Sequence, residues 1–196
     1  MGIFLTVNKT MRDKYNISLK DTLKYLACDN RRRRKYLNKK AEGLGFLSGF
    51  YSHVMIATMM FRFSHYFFCK NLGLLSRILY VLNIIVFGVD ISPMSNIGPG
   101  FVMLHLPGIA IHCKAGKNLF LYGQNVIGGK GGESDSGWYG GPVLGDNITM
   151  YSGAKITGSV KLEDNIVVGA ASLVIDSIPS NKVVVGVPAR VIKDVK

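Results

Sequence analysis

Apolar residues recur at every sixth position along the C-terminal half of the chain, in two successive registers. Thirteen positions keep this spacing and all are apolar, in a chain of which 48% is hydrophobic. They are Ile91, Ile97, Met103, Ile109, Ala115, Leu121 and Ile127 and, after a break, Leu144, Met150, Ile156, Leu162, Val168 and Val174. A period of six fits neither a helix nor simple strand alternation, and hexapeptide repeats are typical of a β-helix.

The repeat therefore predicts a mainly β protein, with a parallel β-helix over residues 89–196. Each hexapeptide forms a short strand and a corner, so three of them close a triangular coil and the next coil stacks on it at strand spacing. The first position should point into the prism, and the fifth position is frequently apolar as well. The alternative, a sandwich of short strands, would need turn clusters at intervals of roughly 8–12 residues.

Residues 1–88 are predicted to form a helical N-terminal domain. Ser18 followed by Asp21 indicates a helix start, and two further apolar helices are predicted over Phe50–Cys69 and Leu74–Phe87. No signal peptide is expected, because the chain does not start with a charged region, an apolar core and a cleavage site. The longest uncharged run of the third helix has 12 residues, whereas a membrane span needs about 20. We expect these helices to pack on the base of the β-helix, where they could also touch the bilayer surface.

The chain carries a net charge of +12 and has a pI near 9.7, which indicates an anionic partner. The basic run Arg31–Lys35 is interpreted first as a solvated helix face, and alternatively as a contact for anionic lipid or an acidic polymer. No nucleic-acid-binding module is recognised, so a nucleic-acid partner is not expected. Three cysteines without metal spacing favour a cytoplasmic protein without a disulfide framework, with the inner face of the membrane as an alternative location.

His105 is the strongest candidate for chemistry in the repeat. It occupies the third place of its hexapeptide, which faces outward, and a histidine near neutral pKa is suited to remove a proton from a hydroxyl. Asp90 lies fifteen residues earlier, so it should sit one coil below and near the same corner. The spacing leaves two roles for Asp90 open: it orients the imidazole of His105, or it only caps the first coil.

The break in the repeat predicts an inserted loop. Leu144 follows Ile127 after 17 residues where six would continue the repeat, so about eleven residues are extruded over roughly residues 130–141. Insertions in repeat proteins often lie on a functional face. Trp138 and Tyr139 on this loop either stack against a sugar or pack against a neighbouring coil or subunit.

The segment from about Asp90 to Lys193 resembles the hexapeptide-repeat acetyltransferases, and in particular their serine acetyltransferase-like branch. The motifs that carry the resemblance are Asp-Ile-x-Pro from Asp90, Ile-Gly-x-Gly from Ile97, the His105 segment, Ile127-Gly128-Gly129, Ser-Gly-Ala-Lys-Ile-x-Gly from Ser152, and Gly-Val-Pro-Ala-Arg from Gly186. The resemblance implies a left-handed β-helix, a homotrimer, and acetyl-CoA as the acetyl donor in the groove between neighbouring β-helices.

The same resemblance implies roles for single residues. His105 would be the catalytic histidine, and Asp90 would be its aspartate partner. The acetyl-CoA contacts would be Gly129 at the thioester, Ser152, Gly153, Gly169 and Ala170 along the pantetheine arm, and Lys155, Arg190 and Lys193 at the nucleotide phosphates.

The chain departs from serine acetyltransferases where the acceptor binds. Leu104 stands where the family has an aspartate, and Gly140 and Gly141 replace an Arg-His pair, so the groups that hold the ammonium and the carboxylate of serine are missing. We therefore predict an O-acetyltransferase that acts on a saccharide hydroxyl of a capsule, exopolysaccharide or O-antigen, with Trp138 and Tyr139 at the acceptor. The first alternative is a serine O-acetyltransferase of cysteine biosynthesis.

Two further classes share the fold. A non-catalytic β-helix scaffold would not need His105, the glycine pair and the closing basic motif together. A zinc hydratase of the γ-carbonic anhydrase type needs three converging histidines. The repeat contains only His105 and His112, so no metal is expected.

Overall fold

A computed structural model describes residues 17–37, 51–129 and 141–195 of the chain. Three helices come first: α1 (Leu19–Tyr36), α2 (His53–Cys69) and α3 (Gly73–Phe87). Ser18 caps α1 as the sequence predicts, because its Oγ accepts a hydrogen bond from the backbone N–H of Asp21 at 3.0 Å. In the part of the chain described, no helix has both the length and the apolar composition needed to cross a bilayer.

Short strands follow the helices. They are β1 (Val89–Ile91), β2 (Asn96–Ile97), β3 (Val102–Met103), β4 (Ile109–Ile111), β5 (Lys114–Ala115), β6 (Phe120–Leu121), β7 (Val126–Gly128), β8 (Val143–Leu144), β9 (Ile148–Met150), β10 (Lys155–Thr157), β11 (Lys161–Leu162), β12 (Ile166–Val168), β13 (Leu173–Val174), β14 (Lys182–Gly186) and β15 (Ala189–Asp194).

The strands form three parallel sheets that close a β-helix. Sheet A has the order β1-β4-β7-β10-β13, sheet B the order β2-β5-β8-β11, and sheet C the order β3-β6-β9-β12-β14, with β15 added antiparallel to β14. Consecutive strands pass from sheet A to sheet B to sheet C, so each set of three makes one triangular coil. This architecture confirms the predicted fold class, a β-helix with an N-terminal helical region.

All thirteen positions of the six-residue pattern are buried in one hydrophobic core. The pairing corrects the pattern at one position, because Ile109 pairs with Val89 and it is Ile111 that pairs with Ile91. Ile111 in turn pairs with Ile127. The segment between β3 and β4 is therefore two residues longer than a hexapeptide, and the next segment is two residues shorter. The extra residues are pushed outward at the corner that carries His105.

A buried ion pair fixes the helices to the first coil. The Nε of Arg62 on α2 donates to Oδ2 of Asp29 on α1 at 2.9 Å, and the two side chains are 2% and 0% exposed. Oδ1 of Asp29 also accepts hydrogen bonds from the backbone N–H groups of Gly100 and Phe101, both at 2.8 Å. Burial raises the pKa of Asp29, while the Arg62 guanidinium and the two N–H groups act against this rise.

Arg62 also reaches the first coil directly. Its guanidinium donates to the carbonyl oxygen of Ile97 and, at 2.8 Å, to that of Gly98. The guanidinium carbon lies 5.1 Å from the centre of the Tyr25 ring. One cation thus connects both helices and the corner between β2 and β3.

The basic run Arg31–Lys35 is only in part a solvated face, because Arg31 and Lys35 are exposed whereas Arg32 and Arg34 are turned towards the protein. Arg34 is buried, and Arg32 donates to the carbonyl oxygen of Gly100 at 2.7 Å with its guanidinium 5.4 Å from the centre of the Phe120 ring. Residues of the run and Lys117 line a cleft of about 450 Å³ between α1 and the first two coils. A helical periodicity turns some members of any five-residue run inward, and here the β-helix lies on that side.

We expect Asp29→Ala to lower the free energy of unfolding by about 3–5 kcal/mol, because it leaves the Arg62 guanidinium buried without its carboxylate. Chemical denaturation of the full chain measures this change. The matched control is Asp176→Ala, which removes an ion pair whose two side chains are each 66% exposed and should cost no more than about 1 kcal/mol. Equal losses in the two variants would contradict a special role for Asp29.

Candidate functional site

His105 lies exposed in the corner between β3 of sheet C and β4 of sheet A. We call this line of corners the C–A edge. It comprises the residues that follow the strands of sheet C in successive coils: Leu104–His105, Tyr122–Gly123, Tyr151–Gly153 and Gly169–Ala170. Backbone hydrogen bonds between the coils stack these corners, for example from the N–H of Leu104 to the carbonyl oxygen of Leu121 at 3.0 Å.

Gly123 lies directly against His105 in the next coil. A Cβ on Gly123 would lie 2.8 Å from the Cβ of His105, and the backbone of Gly123 has a φ of +132°, so only glycine fits without displacement. The buried side chain of Asn125 holds this corner in place. Its Oδ1 accepts from the N–H of Gly123 at 2.9 Å, and its Nδ2 donates to the carbonyl oxygens of Tyr151 at 2.8 Å and Ala154 at 3.2 Å.

Asp90 has a hydrogen-bond partner other than the one expected. The hydroxyl of Tyr80 on α3 donates to Oδ1 of Asp90 at 2.7 Å, and within the described residues no hydrogen bond joins Asp90 to His105. Burial and the neighbouring Asp90 together raise the pKa of Tyr80 to about 12, so this hydroxyl keeps its proton at neutral pH. The orienting role of Asp90 towards His105 therefore stays a prediction, and its observed contact is with the helical region.

Four of the predicted acetyl-CoA contacts lie on the same C–A edge as His105. In the coils beyond His105, Ser152 and Ala170 are exposed, while Gly153 and Gly169 are partly exposed. The N–H of Gly153 donates to the carbonyl oxygen of Gly123 at 3.0 Å, which stacks this corner on the one that supports His105. The edge thus presents small residues in each corner beyond the imidazole, next to the rings of Tyr122 and Tyr151.

The other predicted contacts lie elsewhere. Gly129 follows β7 and so lies at the corner between sheets A and B, away from the C–A edge, and Lys155 is exposed on sheet A. On the antiparallel strand β15, Lys193 is exposed and Arg190 forms an ion pair with Asp176 at 3.3 Å. A single chain therefore does not bring Gly129 and His105 together.

The predicted acceptor contacts Trp138 and Tyr139 lie outside the described residues, as does Gly140. Of the three positions at which the chain departs from serine acetyltransferases, Leu104 and Gly141 are described. Leu104 is partly exposed next to His105. An apolar side chain therefore stands beside the candidate general base.

A row of aromatic rings on the C–A edge was not anticipated from the sequence. Tyr122 and Tyr151 stack with ring centres 4.5 Å apart, and the hydroxyl of Tyr36 on α1 donates to that of Tyr122 at 3.5 Å. The hydrogen bond with Tyr36 is the main cause that raises the pKa of Tyr122. The repeat spacing could have predicted the stacking of Tyr122 on Tyr151. These residues are separated by one coil plus the inserted loop, just as the paired residues Leu121 and Met150 are.

The fold and the edge define a hexapeptide-repeat β-helix protein with an exposed histidine beside small residues. No protein-family model matches the chain. The chain is 32% identical over 149 residues to the serine acetyltransferase of Staphylococcus epidermidis, covering 75% of this chain and 65% of that protein. It is 35% identical over 153 residues to the serine acetyltransferase of Buchnera aphidicola subsp. Schizaphis graminum, covering 77% of this chain and 56% of that protein.

The structure is similar to that of Neisseria gonorrhoeae serine acetyltransferase, with a TM-score of 0.78, 26% identity, and coverage of 90% of this chain and 68% of that one. The similarity supports the predicted left hand of the β-helix. The chain spans between half and two thirds of the length of the two sequence relatives.

The comparisons overturn the prediction of a saccharide acceptor, because the relatives are serine acetyltransferases. The prediction rested on three substituted positions and on two aromatic residues of the inserted loop. Substituted positions show which contacts are missing and do not identify the molecule that binds instead. The saccharide interpretation is therefore wrong, and the alternative given with it is the better supported one.

We expect Gly123→Ala to displace His105 and to lower the free energy of unfolding by roughly 1–3 kcal/mol, because the new Cβ meets the backbone and Cβ of His105. Denaturation measures the loss, and the imidazole resonances of His105 report the displacement. Gly73→Ala is the control, since nothing lies within 4 Å of a Cβ there and its φ is not positive. Unchanged His105 resonances in Gly123→Ala would contradict the proposed support.

Proposed function

We propose that the protein is a serine O-acetyltransferase that takes the acetyl group from acetyl-CoA, with His105 as general base. The observation that carries the proposal is the position of His105, which is exposed at the start of the edge that also carries Ser152, Gly153, Gly169 and Ala170. Support comes from the similarity to serine acetyltransferases, which covers three quarters of the chain.

The proposed reaction needs one group that moves a proton. A ring nitrogen of His105 accepts the proton of the serine hydroxyl while the oxygen attacks the thioester carbonyl carbon. When the carbon–sulfur bond breaks, the imidazolium returns this proton to the CoA sulfur, so acetylserine and CoA form without net proton change. A carboxylate close to the imidazolium would stabilise it, and Asp90 is the candidate.

The C–A edge suits the pantetheine arm of the donor. Ser152, Gly153, Gly169 and Ala170 carry no side chain longer than a hydroxymethyl group, so an extended ligand can approach their backbone closely. Beyond them, Lys193 is exposed on β15 and offers a positive charge to a phosphate. Arg190 would first have to leave its exposed ion pair with Asp176.

We further propose a homotrimer. Gly129 and His105 lie at different corners of one chain, so a donor site that contains both requires a second β-helix. A cyclic arrangement with three equal contacts would supply three such sites. Light scattering of the full chain tests the assembly, and a monomeric mass at micromolar concentration would contradict it.

We expect His105→Ala to lower kcat for acetyl transfer to L-serine by about 10²–10⁴, because it removes the proton acceptor. Release of the CoA thiol measures the rate, and calorimetry should show nearly unchanged binding of acetyl-CoA. His53→Ala is the matched control, since His53 is exposed at the start of α2. Full activity of the His105→Ala protein would refute the mechanism, and no serine turnover by the unmodified protein would refute the acceptor.

The apolar side chain of Leu104 should weaken the binding of serine. Because residue 104 offers no carboxylate to the ammonium group of serine, we expect a high KM for serine. We expect Leu104→Asp to lower this KM by about tenfold or more, since a hydrogen bond to a charged group contributes about 1.5–3 kcal/mol.

The same kinetic assay with Leu104→Asn is the control, because asparagine adds a polar group of equal size without the charge. A smaller effect is expected in that variant. If Leu104→Asp leaves the KM for serine unchanged, then residue 104 does not face the ammonium group.

A further inference from the structure

The helix α3 has an inverted distribution of polar and apolar residues. Its buried residues are Ser76 and Asn83, Phe87 at its end is partly buried against the core, and large apolar side chains are exposed on its outer face. These exposed side chains are Leu74, Leu75, Ile78, Leu82, Ile84, Ile85 and Val86. A helix on the surface of a water-soluble domain normally places its apolar stripe against the core. The outer face of α3 therefore exposes an apolar patch of the kind that indicates an interaction surface.

The contact between α2 and α3 includes hydrogen bonds from buried polar side chains. Oγ of Ser64 donates to the carbonyl oxygen of Ser76 at 2.7 Å, and Nδ2 of Asn83 donates to the carbonyl oxygen of Ala57 at 3.1 Å. Small and polar residues between helices, with apolar side chains outside, are typical of helices packed within a membrane. This arrangement is a second observation that favours lipid as the partner.

The charges around this face favour an anionic surface over a second copy of the chain. No aspartate or glutamate occurs from residue 43 to residue 89. Arg77 on α3 and Lys70 just before it are both exposed. The next carboxylate along the chain, Asp90, accepts from Tyr80 on the inner side of α3, so two identical outer faces brought together would place these cations near each other. Anionic lipid headgroups would complement them.

The geometry fits a helix that lies on the bilayer. With 15 residues, α3 is about 22 Å long at 1.5 Å per residue, which is shorter than the ~30 Å hydrocarbon core. The neighbouring helix α2 keeps Arg62 and His65 buried. An amphipathic helix with an apolar face and basic flanks lies in the plane of the interface.

We propose that the outer face of α3 is a docking surface for an anionic lipid bilayer. The surface consists of the seven exposed apolar residues of α3, with Arg77 and Lys70 beside them. None of these residues lies on the C–A edge, so vesicle binding can be measured apart from acetyl transfer.

Co-sedimentation of the full chain with vesicles tests the proposal. The unmodified protein should pellet with vesicles of phosphatidylglycerol and phosphatidylcholine, and less with pure phosphatidylcholine or at high salt. The double variant Leu74→Gln/Ile85→Gln changes the two most exposed of these positions, at 75% and 73%. It should bind at least about tenfold more weakly, since each side chain would otherwise leave water.

The matched control is Val191→Gln/Ile192→Gln on β15, where the side chains are also apolar and 48% and 55% exposed. It should bind vesicles like the unmodified protein. Circular dichroism and thermal melting verify that both double variants are folded. If the variants have lost their fold, Arg77→Glu serves instead, and it should weaken binding to the anionic vesicles alone.

Three results would overturn the proposal. The first is an unmodified protein that does not pellet with anionic vesicles. The second is equal binding by the α3 and β15 double variants. The third combines two measurements: the unmodified protein does not bind vesicles, and Leu74→Gln/Ile85→Gln has a lower molecular mass on light scattering than the unmodified protein. This result would identify the face as a contact between copies of the chain.

Discussion

The stacking of coils in register is the constraint on which the structure depends. Each inward side chain must lie over its equivalent in the coil below, so Ile97, Ala115, Leu144 and Leu162 follow one another in sheet B. A residue added within a strand would move the inward side chains to the outer face of the sheet, so additional residues are accommodated only at corners. The two extra residues next to His105 and the inserted loop between β7 and β8 are both of this kind. The fold thus places its departures from the repeat where a ligand could reach them.

The first coil has no coil below it, and the helices cover this end. Asp29 and Arg62 satisfy backbone groups of the corner between β2 and β3 that would otherwise be buried without partners. A buried pair of this kind contributes little when compared with apolar packing, but it penalises any other orientation of the helices. This selectivity matters for the site because α3, which follows α2, carries the hydroxyl that binds Asp90.

The sequence pattern predicted the features that depend on residues close together in the chain. The inward row follows from apolar spacing alone, and the cap at Ser18 from two residues three apart. By contrast, the contacts of Asp29 with Arg62 and of Tyr80 with Asp90 join elements whose packing the sequence pattern does not specify. Gly123 could have been found, since it lies one coil of 18 residues after His105. The acceptor could not have been found in this way, because the missing contacts at Leu104, Gly140 and Gly141 identify no ligand.

The helix α3 has different partners on its two sides. Its inner side carries Tyr80, whose hydroxyl donates to Asp90 at 2.7 Å, and its outer side exposes Leu74 and Ile85. A helix of four turns moves as one body, so a displacement of its outer face also moves the hydroxyl on its inner side. A hydrogen bond with a length of 2.7 Å weakens when its donor moves by even half an ångström. Tyr80 on the inner side of this helix therefore connects the helix that presents the apolar surface to Asp90.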